Sequence, residues 1–173
     1  MIIKKQFKIT EKEGNLFSKR SGDINKIHLN KKYSYNSIFG NKICFGAQIL
    51  IKIIEMINLN FQKRLYFKAS FNQPAYYNEP IKLMINKSKN IKLINLYQYE
   101  KFIGKIEFED KILLEKKSRY YEPKMNISFK KIGKGKNEIE ILKNLLMRLS
   151  KYVGVYKPGE NSLLTEIEVF YDE

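Results

Sequence analysis

One carboxylate and the chain's only histidine lie five residues apart in the stretch Ser21-Gly22-Asp23-Ile24-Asn25-Lys26-Ile27-His28. Imidazole titrates near neutral pH, and a carboxyl group drawn out of bulk water changes its proton affinity with its neighbours. Such a pair can take a proton at one point and deliver it at another, which is general acid–base chemistry. Asn25 stands between them and can hydrogen-bond the loop backbone or orient the pair. The same residues also suit an Asx-rich turn with a structural histidine, because Asp-x-Asn sequences are common in turns. On residue types alone both readings stay open.

Other chemistries are excluded by counting. One cysteine and one histidine leave no Cys/His metal cluster, and neither a metal nor a cofactor is expected. Cys44 has no second cysteine to bond with, which fits a reducing cytoplasm. With no second histidine to activate it, Cys44 reads as a small buried hydrophobe and not as a nucleophile. No apolar run reaches the roughly 18 residues needed to span a bilayer, and the opening MIIKKQFKIT has no signal-peptide core. A protein without a membrane anchor is expected.

The net charge of +15 invites a nucleic-acid reading. Its make-up weakens that reading. Of the 33 basic residues 29 are Lys and 4 are Arg, while Asn (16) and Ile (24) are also abundant. These three amino acids have AT-rich codons, whereas base readout and bidentate phosphate recognition favour Arg. Genome composition accounts for most of the charge, and nucleic acid is not the expected partner.

The pair must be held by the elements around it. In 173 residues there is room for about one domain, or one and a half. Residues 2–9 read as a strand. Residues 11–21 read as a short helix, with Thr10 as N-cap and Glu11 and Glu13 in its first turn. Residues 22–44 lack a sustained period and read as a long loop with at most a helical turn, packed down by Ile27, Leu29, Tyr33, Tyr35, Ile38, Phe39 and Ile43. Residues 46–58 (GAQILIKIIEMIN) form a helix whose polar residues Gln48, Lys52 and Glu55 make one narrow stripe. A helix apolar over most of its circumference must be surrounded by protein, and a curled sheet is the available surround.

Alternating or apolar runs at 64–73, 81–87, 91–99 and 102–108 supply that sheet, with Ser88-Lys89-Asn90 and Glu100-Lys101 as turns. Residues 111–116 read as a further edge strand. Short connections make these an antiparallel meander. The fold class is α+β: a curved antiparallel sheet wrapped around one central helix.

Residues 117–124 read as a connector, after which the opening order returns. Residues 125–132 read as a strand, 133–136 as a glycine-rich turn, and 137–151 as an amphipathic helix with Ile141, Leu145 and Leu149 on one side. That helix runs into LSKYVGV at 149–155, which echoes FSKRSGD at 17–23. One further strand is expected over 163–171. The division is therefore 1–118 and a strand-helix-strand extension over 119–173, read as a degenerate second copy cut short relative to a two-copy parent.

The segment SGDINKIHLNKKYS, followed by FGNKICFG, resembles the MaoC-like dehydratase family, the (R)-specific enoyl-CoA hydratases of the hot-dog fold. The family pattern is roughly S/T-G-D-x-N-P-I/L-H-x-D-x-x-Y-A, then F-G-x-x-I-A-H-G at the start of the central helix. Ser21, Gly22, Asp23, Asn25, Ile27, His28, Tyr33, Phe39, Gly40, Ile43 and Gly46 match it in type and spacing. FNQPAYYNEPIKL resembles the family's F-x-x-P-V-x-x-G-D-x-L. The likeness covers about residues 5–115. The departures are Lys26 for Pro, Asn30 for Asp, Ser34 for Ala, and Cys44-Phe45 for Ala-His.

The resemblance implies a hot-dog domain that adds water to, or removes it from, an enoyl thioester of CoA or a carrier protein. It implies Asp23 and His28 as the catalytic pair, Asn25 as support and the Gly46 N–H as oxyanion donor. Tyr33, Phe39 and Phe45 are the substrate-binding candidates, though core packing competes for Tyr33 and Phe45, as a steric need does for Gly46. Lys26, Lys31, Lys32 and Lys42 flank the loop and could meet the phosphates of CoA or an acidic carrier. A homodimer is expected, as hot-dog folds pair. The alternatives are a thioesterase using Glu55 on the central helix, a non-catalytic hot-dog module for acyl or ligand binding or dimerisation, and a dehydratase acting on an unusual substrate in a specialised biosynthetic route.

Overall fold

The structure is a computed structural model that describes residues 2–57, 64–87, 91–109, 138–156 and 163–172. Strand β1 is Ile2–Phe7, and helix α1 is Glu11–Ser21. Thr10 caps α1 through a reciprocal box: its hydroxyl accepts from the Glu13 N–H at 3.2 Å, and the Glu13 carboxylate accepts from the Thr10 N–H at 2.7 Å. The expected strand over 2–9 ends at Phe7, leaving Ile9 buried and Thr10 free to cap.

The expected long loop contains two short helices, α2 (Lys26–Leu29) and α3 (Lys31–Tyr35). Asparagines that read as loop markers are their caps. Asn25 Oδ1 accepts from the Ile27 N–H at 3.2 Å, and Asn30 Oδ1 accepts from the Tyr33 N–H at 2.9 Å. Ile27 and Ile43 are buried as expected, but Tyr35 and Ile38 are 72% and 94% exposed. The polar Ser34, fully buried on Asn30 O, anchors that turn in their stead.

The central helix α4 is Gly46–Met56. Strands β2 (Arg64–Phe71), β3 (Ile81–Lys87), β4 (Ile91–Gln98) and β5 (Lys101–Glu109) follow. The Tyr99-Glu100 turn joins β4 to β5 one residue earlier than expected, both residues taking left-handed φ values of 51° and 59°. Helix α5 is Glu138–Lys151, continued by a π-helical turn at Tyr152–Tyr156, and β6 is Glu166–Asp172. The readings at 111–116, 117–124, 125–132 and 133–136 lie outside the described residues.

All strand pairs are antiparallel, in the order β1-β3-β4-β5-β2-β6, and the sheet is not closed. Its register brings inward residues opposite one another: Phe67 faces Phe108, Leu83 faces Leu96, and Ile94 faces Ile85 and Ile106. These residues are buried in one core with Ala47, Ile49, Leu50, Ile53 and Ile54 of α4. Period-2 strands and an almost wholly apolar helix thus complete each other.

The polar stripe of α4 marks a seam between two further helices. Lys52 Nζ lies 3.1 Å from Glu13 of α1, and Lys143 of α5 lies 2.7 Å from Glu55. The sheet covers one side of α4, and α5 packs on it as well. The buried line of α5 is Leu142, Leu146 and Ser150, one position on from the expected Ile141, Leu145 and Leu149.

Helix α1 stops at Gly22, in the left-handed region at φ 76°, with its N–H bonded to Ser18 O at 2.8 Å. That turn aims Asp23 inward. An L-residue resists this conformation, and a Cβ here would also meet the Lys151 side chain at 3.1 Å. Gly22→Ala is expected to destabilise the fold by about 1–2 kcal/mol, read as a lower urea midpoint; an unchanged midpoint would refute this.

Candidate active site

Asp23 is 2% exposed. Its backbone is fixed by two serines: the Ser18 hydroxyl donates to Asp23 O at 2.6 Å, and Ser21 Oγ accepts from the Asp23 N–H at 3.1 Å. Its carboxylate accepts from the Asn25 N–H on Oδ1 at 3.1 Å and from the Ser150 hydroxyl on Oδ2 at 2.6 Å. Burial raises the pKa of this carboxyl, and the two donors hold it partly down.

His28 sits in α2. Its Nδ1 lies 2.9 Å from the carbonyl oxygen of Ile43. A carbonyl only accepts, so Nδ1 carries the proton and the neutral ring keeps its lone pair on Nε2. The imidazole packs on the Phe45 ring, with centroids 4.0 Å apart, and Phe45 packs on Phe17 in turn. Burial pushes the His28 pKa down to about 4, with the Ile43 carbonyl opposing. The histidine is therefore neutral at neutral pH.

Asp23 and His28 line one cavity of about 50 Å³, together with Cys44, Gly46, Ile49 and Phe71. No direct hydrogen bond joins the pair among the described residues, and the cavity that both line is large enough to hold a water. The Gly46 N–H opens α4 with no cap from the Phe45 side chain. A Cβ on Gly46 would lie 3.2 Å from Phe71 and 3.3 Å from the Leu164 carbonyl, so the steric need for glycine is present beside any donor role. The Cys44 N–H bonds to Ala75 O at 2.7 Å, pinning the strand-like segment before α4. Burial pushes the Cys44 thiol up, as expected of a small buried hydrophobe.

The expected residues thus divide. Asp23, His28 and Gly46 meet at one cavity, with Asn25 buried behind Asp23. Phe45 forms the packing wall of His28 and does not line the cavity. Tyr33 and Phe39 lie on a separate groove of about 710 Å³, with Ile27, Asn30, Lys32 and Ile38. Lys26, Lys31 and Lys32 are on the surface. Lys42 is buried and paired with Glu11, so it is not available to an incoming anion. Glu55, the carboxylate of the thioesterase alternative, is paired with Lys143 and does not line the cavity.

Further wall residues were not among those expected: Ser150 in the last turn of α5, Val153 and Gly154 in the π-helical turn after it, and Leu163 and Leu164 before β6. The echo of FSKRSGD in LSKYVGV was the available signal, since it put Ser150 in the place of Ser18. No group of metal-ligating side chains occurs among the described residues, and none of the helices there is long and apolar enough to cross a membrane.

Comparison with solved structures shows the fold. The MaoC-like dehydratase from Phytophthora capsici matches over 65% of this chain and 41% of its own, with a TM-score of 0.52 at 16% identity. Protein af1124 from Archaeoglobus fulgidus matches over 64% of this chain and 77% of its own, with a TM-score of 0.50 at 15% identity. The unliganded R-hydratase PhaJ1 from Pseudomonas aeruginosa is 22% identical over 63% of this chain and 77% of its own, with a TM-score of 0.49. No protein-family profile and no curated protein sequence matches the chain. The fold is the hot-dog fold.

The buried histidine has a consequence for stability. Unfolded, His28 binds a proton below its ordinary value of 6.5; folded, it does so only near pH 4. Between these values the unfolded chain holds the extra proton, so stability falls as pH drops through that window, by roughly 3 kcal/mol in all. Asp23 acts in the opposite sense: its raised pKa favours the fold most below its ordinary 3.8, and that contribution is lost as pH rises. Urea titrations at pH 7 and pH 4 are expected to lose this His28 component in His28→Gln; an identical pH slope in the variant would refute the burial of a neutral ring.

Proposed function

We propose that the protein is an enoyl-thioester hydratase or dehydratase of the MaoC-like kind, working through Asp23 and His28. The observation that carries this reading is the lone pair on His28 Nε2. It is set free because Nδ1 is committed to Ile43 O, on the same cavity as a buried carboxyl and a helix-start N–H. The fold comparisons support the class, and the resemblance of SGDINKIH to the family motif supports the residues.

In the hydration direction a water rests between the two side chains. His28 Nε2 takes one proton from it as the oxygen bonds to C3 of the trans-2-enoyl group. The electron pair of the double bond moves to the thioester oxygen, giving an enolate. The Gly46 N–H, at the positive end of α4, donates to that oxygen, and a single such donor is typically worth about 3 kcal/mol. Asp23, which burial inclines to hold its proton, delivers it to C2 on the same face as the enolate collapses. The proton on His28 then returns to Asp23 through the next water. Dehydration is the same path reversed. No metal or redox cofactor enters the scheme.

The small cavity suits the reacting end of a short acyl chain. The surface lysines 26, 31 and 32 lie on the outer side of the same loop and suit the phosphates of CoA or an acidic carrier protein. Among the described residues β1 and β6 are the edge strands of the sheet, which suits pairing with a second copy, so a homodimer belongs to this reading. The division into a hot-dog unit over 1–118 and an extension over 119–173 belongs to it too, and the lone buried cysteine suits the cytoplasm.

Crotonyl-CoA is the probe, followed by loss of its conjugated enoyl absorbance. Asp23→Asn and His28→Ala are each expected to lower kcat/KM by about 10²–10⁴-fold. Activity that persists in both variants would sink the pair as catalysts. A wild-type protein inert toward enoyl-CoA and enoyl-carrier substrates would favour a non-catalytic module.

A further inference from the structure

We propose that Ser150, supplied by the C-terminal helix, is a positioning residue for Asp23, and that the hot-dog unit's acid–base site is completed in cis by this segment. The proposal rests on the hydratase reading for its catalytic consequence, but the geometry stands without it. Ser150 is 5% exposed and Asp23 is 2% exposed. Their hydrogen bond, at 2.6 Å, spans 127 residues of sequence. The next turn of chain is π-helical and brings Gly154 so close that a Cβ there would lie 2.2 Å from Asp23 Oδ1. Single π turns are often found at functional sites. One carboxyl oxygen is thus gripped by the hydroxyl, and the other is pressed by backbone and held by the Asn25 N–H.

The echo noted in the sequence now has a physical meaning. Ser18 in FSKRSGD and Ser150 in LSKYVGV hold equivalent places, and both hydroxyls bond the same aspartate, one at its backbone carbonyl and one at its side chain. The ends of α1 and α5 converge on Asp23, and Lys151 lies beside Gly22. A donor to a buried carboxylate favours its charged form and fixes its rotamer. Ser150 therefore controls both where the Asp23 oxygens point and how readily the carboxyl yields its proton. The titratable groups around Asp23 are His28 and Cys44 on the shared cavity, Lys151 beside Gly22, and the Tyr77 phenol, which senses the Asp23 charge.

The test uses the full chain. The carboxyl carbon of Asp23 is followed by NMR against pH in the wild type, Ser150→Ala, Ser150→Thr and Gly154→Ala, alongside kcat and KM on crotonyl-CoA. Ser150→Ala is expected to raise the pH at which Asp23 titrates and to lower kcat about tenfold, with KM changed less than twofold. The alkaline limb of the rate profile should move up with it. Ser150→Thr, which keeps the hydroxyl, is expected to restore both. Gly154→Ala reaches the same bond by displacing the carboxyl, and is expected to shift the titration in the same direction even if Ser150→Ala does not fold. Wild-type titration of Asp23 in the alanine variants, or no recovery in Ser150→Thr, would overturn the positioning role. An inactive wild type in which the titration still follows Ser150 would overturn the hydratase reading alone.

Discussion

Burying a carboxyl group costs free energy that only donors can return. Asp23 meets that cost from several parts of the chain. The end of α1 fixes its backbone, the turn into α2 supplies the Asn25 N–H, and the end of α5 supplies the Ser150 hydroxyl. The first two are local, within five residues of chain, but the Ser150 bond forms only when α5 meets the end of α1, and α5 is held there by packing on α4. The placement of one polar group therefore depends on how an almost wholly apolar helix is enclosed.

The enclosure also explains the modest role of the ion pairs. Lys52 with Glu13 and Lys143 with Glu55 are partly exposed, at 3.1 and 2.7 Å. Pairs of this kind are worth about 0–1 kcal/mol each. Their effect is on phase: they allow the polar stripe of α4 to face the α1–α5 seam without leaving unpaired charge there. Apolar burial by Leu142 and Leu146, which are 4% and 0% exposed, supplies the attraction, and the stripe sets the rotation at which Ser150 reaches Asp23.

What could be read from the sequence follows from the range of each cause. Helix α1 was legible in full because Thr10 and Glu13 cap it within four residues of chain. The strands were legible because alternation is local, and their ends slipped by a residue or two where a cap or a left-handed turn intervened, as at Phe7 and Tyr99. Helices α2 and α3 were hidden because Asn25 and Asn30 serve turns and caps equally well, and only the conformation decides. The Asp23/His28 cavity was legible through a family motif carried in one short segment. Its other wall was not, because a serine on a distant helix has no local signature, and amphipathicity placed the buried line of α5 one residue off.

Helix α2 shows why charge and chemistry are kept apart in this molecule. It is one turn long, and its consecutive residues Ile27 and His28 face different concavities: Ile27 lines the wide groove with Tyr33 and Phe39, and His28 lines the small cavity with Asp23. The lysines 26, 31 and 32 lie outside, while no lysine is among the described residues that line the small cavity. A cation beside His28 would lower its proton affinity further, and one beside Asp23 would hold that carboxyl ionised. Either would oppose the effect of burial or of the hydrogen bonds on these two groups. Lys42, the basic residue nearest in sequence to Cys44 and Gly46, is itself buried and paired with the exposed carboxylate of Glu11. Lys151 stands beside Gly22 and not on the cavity lining, and burial and hydrogen bonds shift the proton affinities of Asp23 and His28.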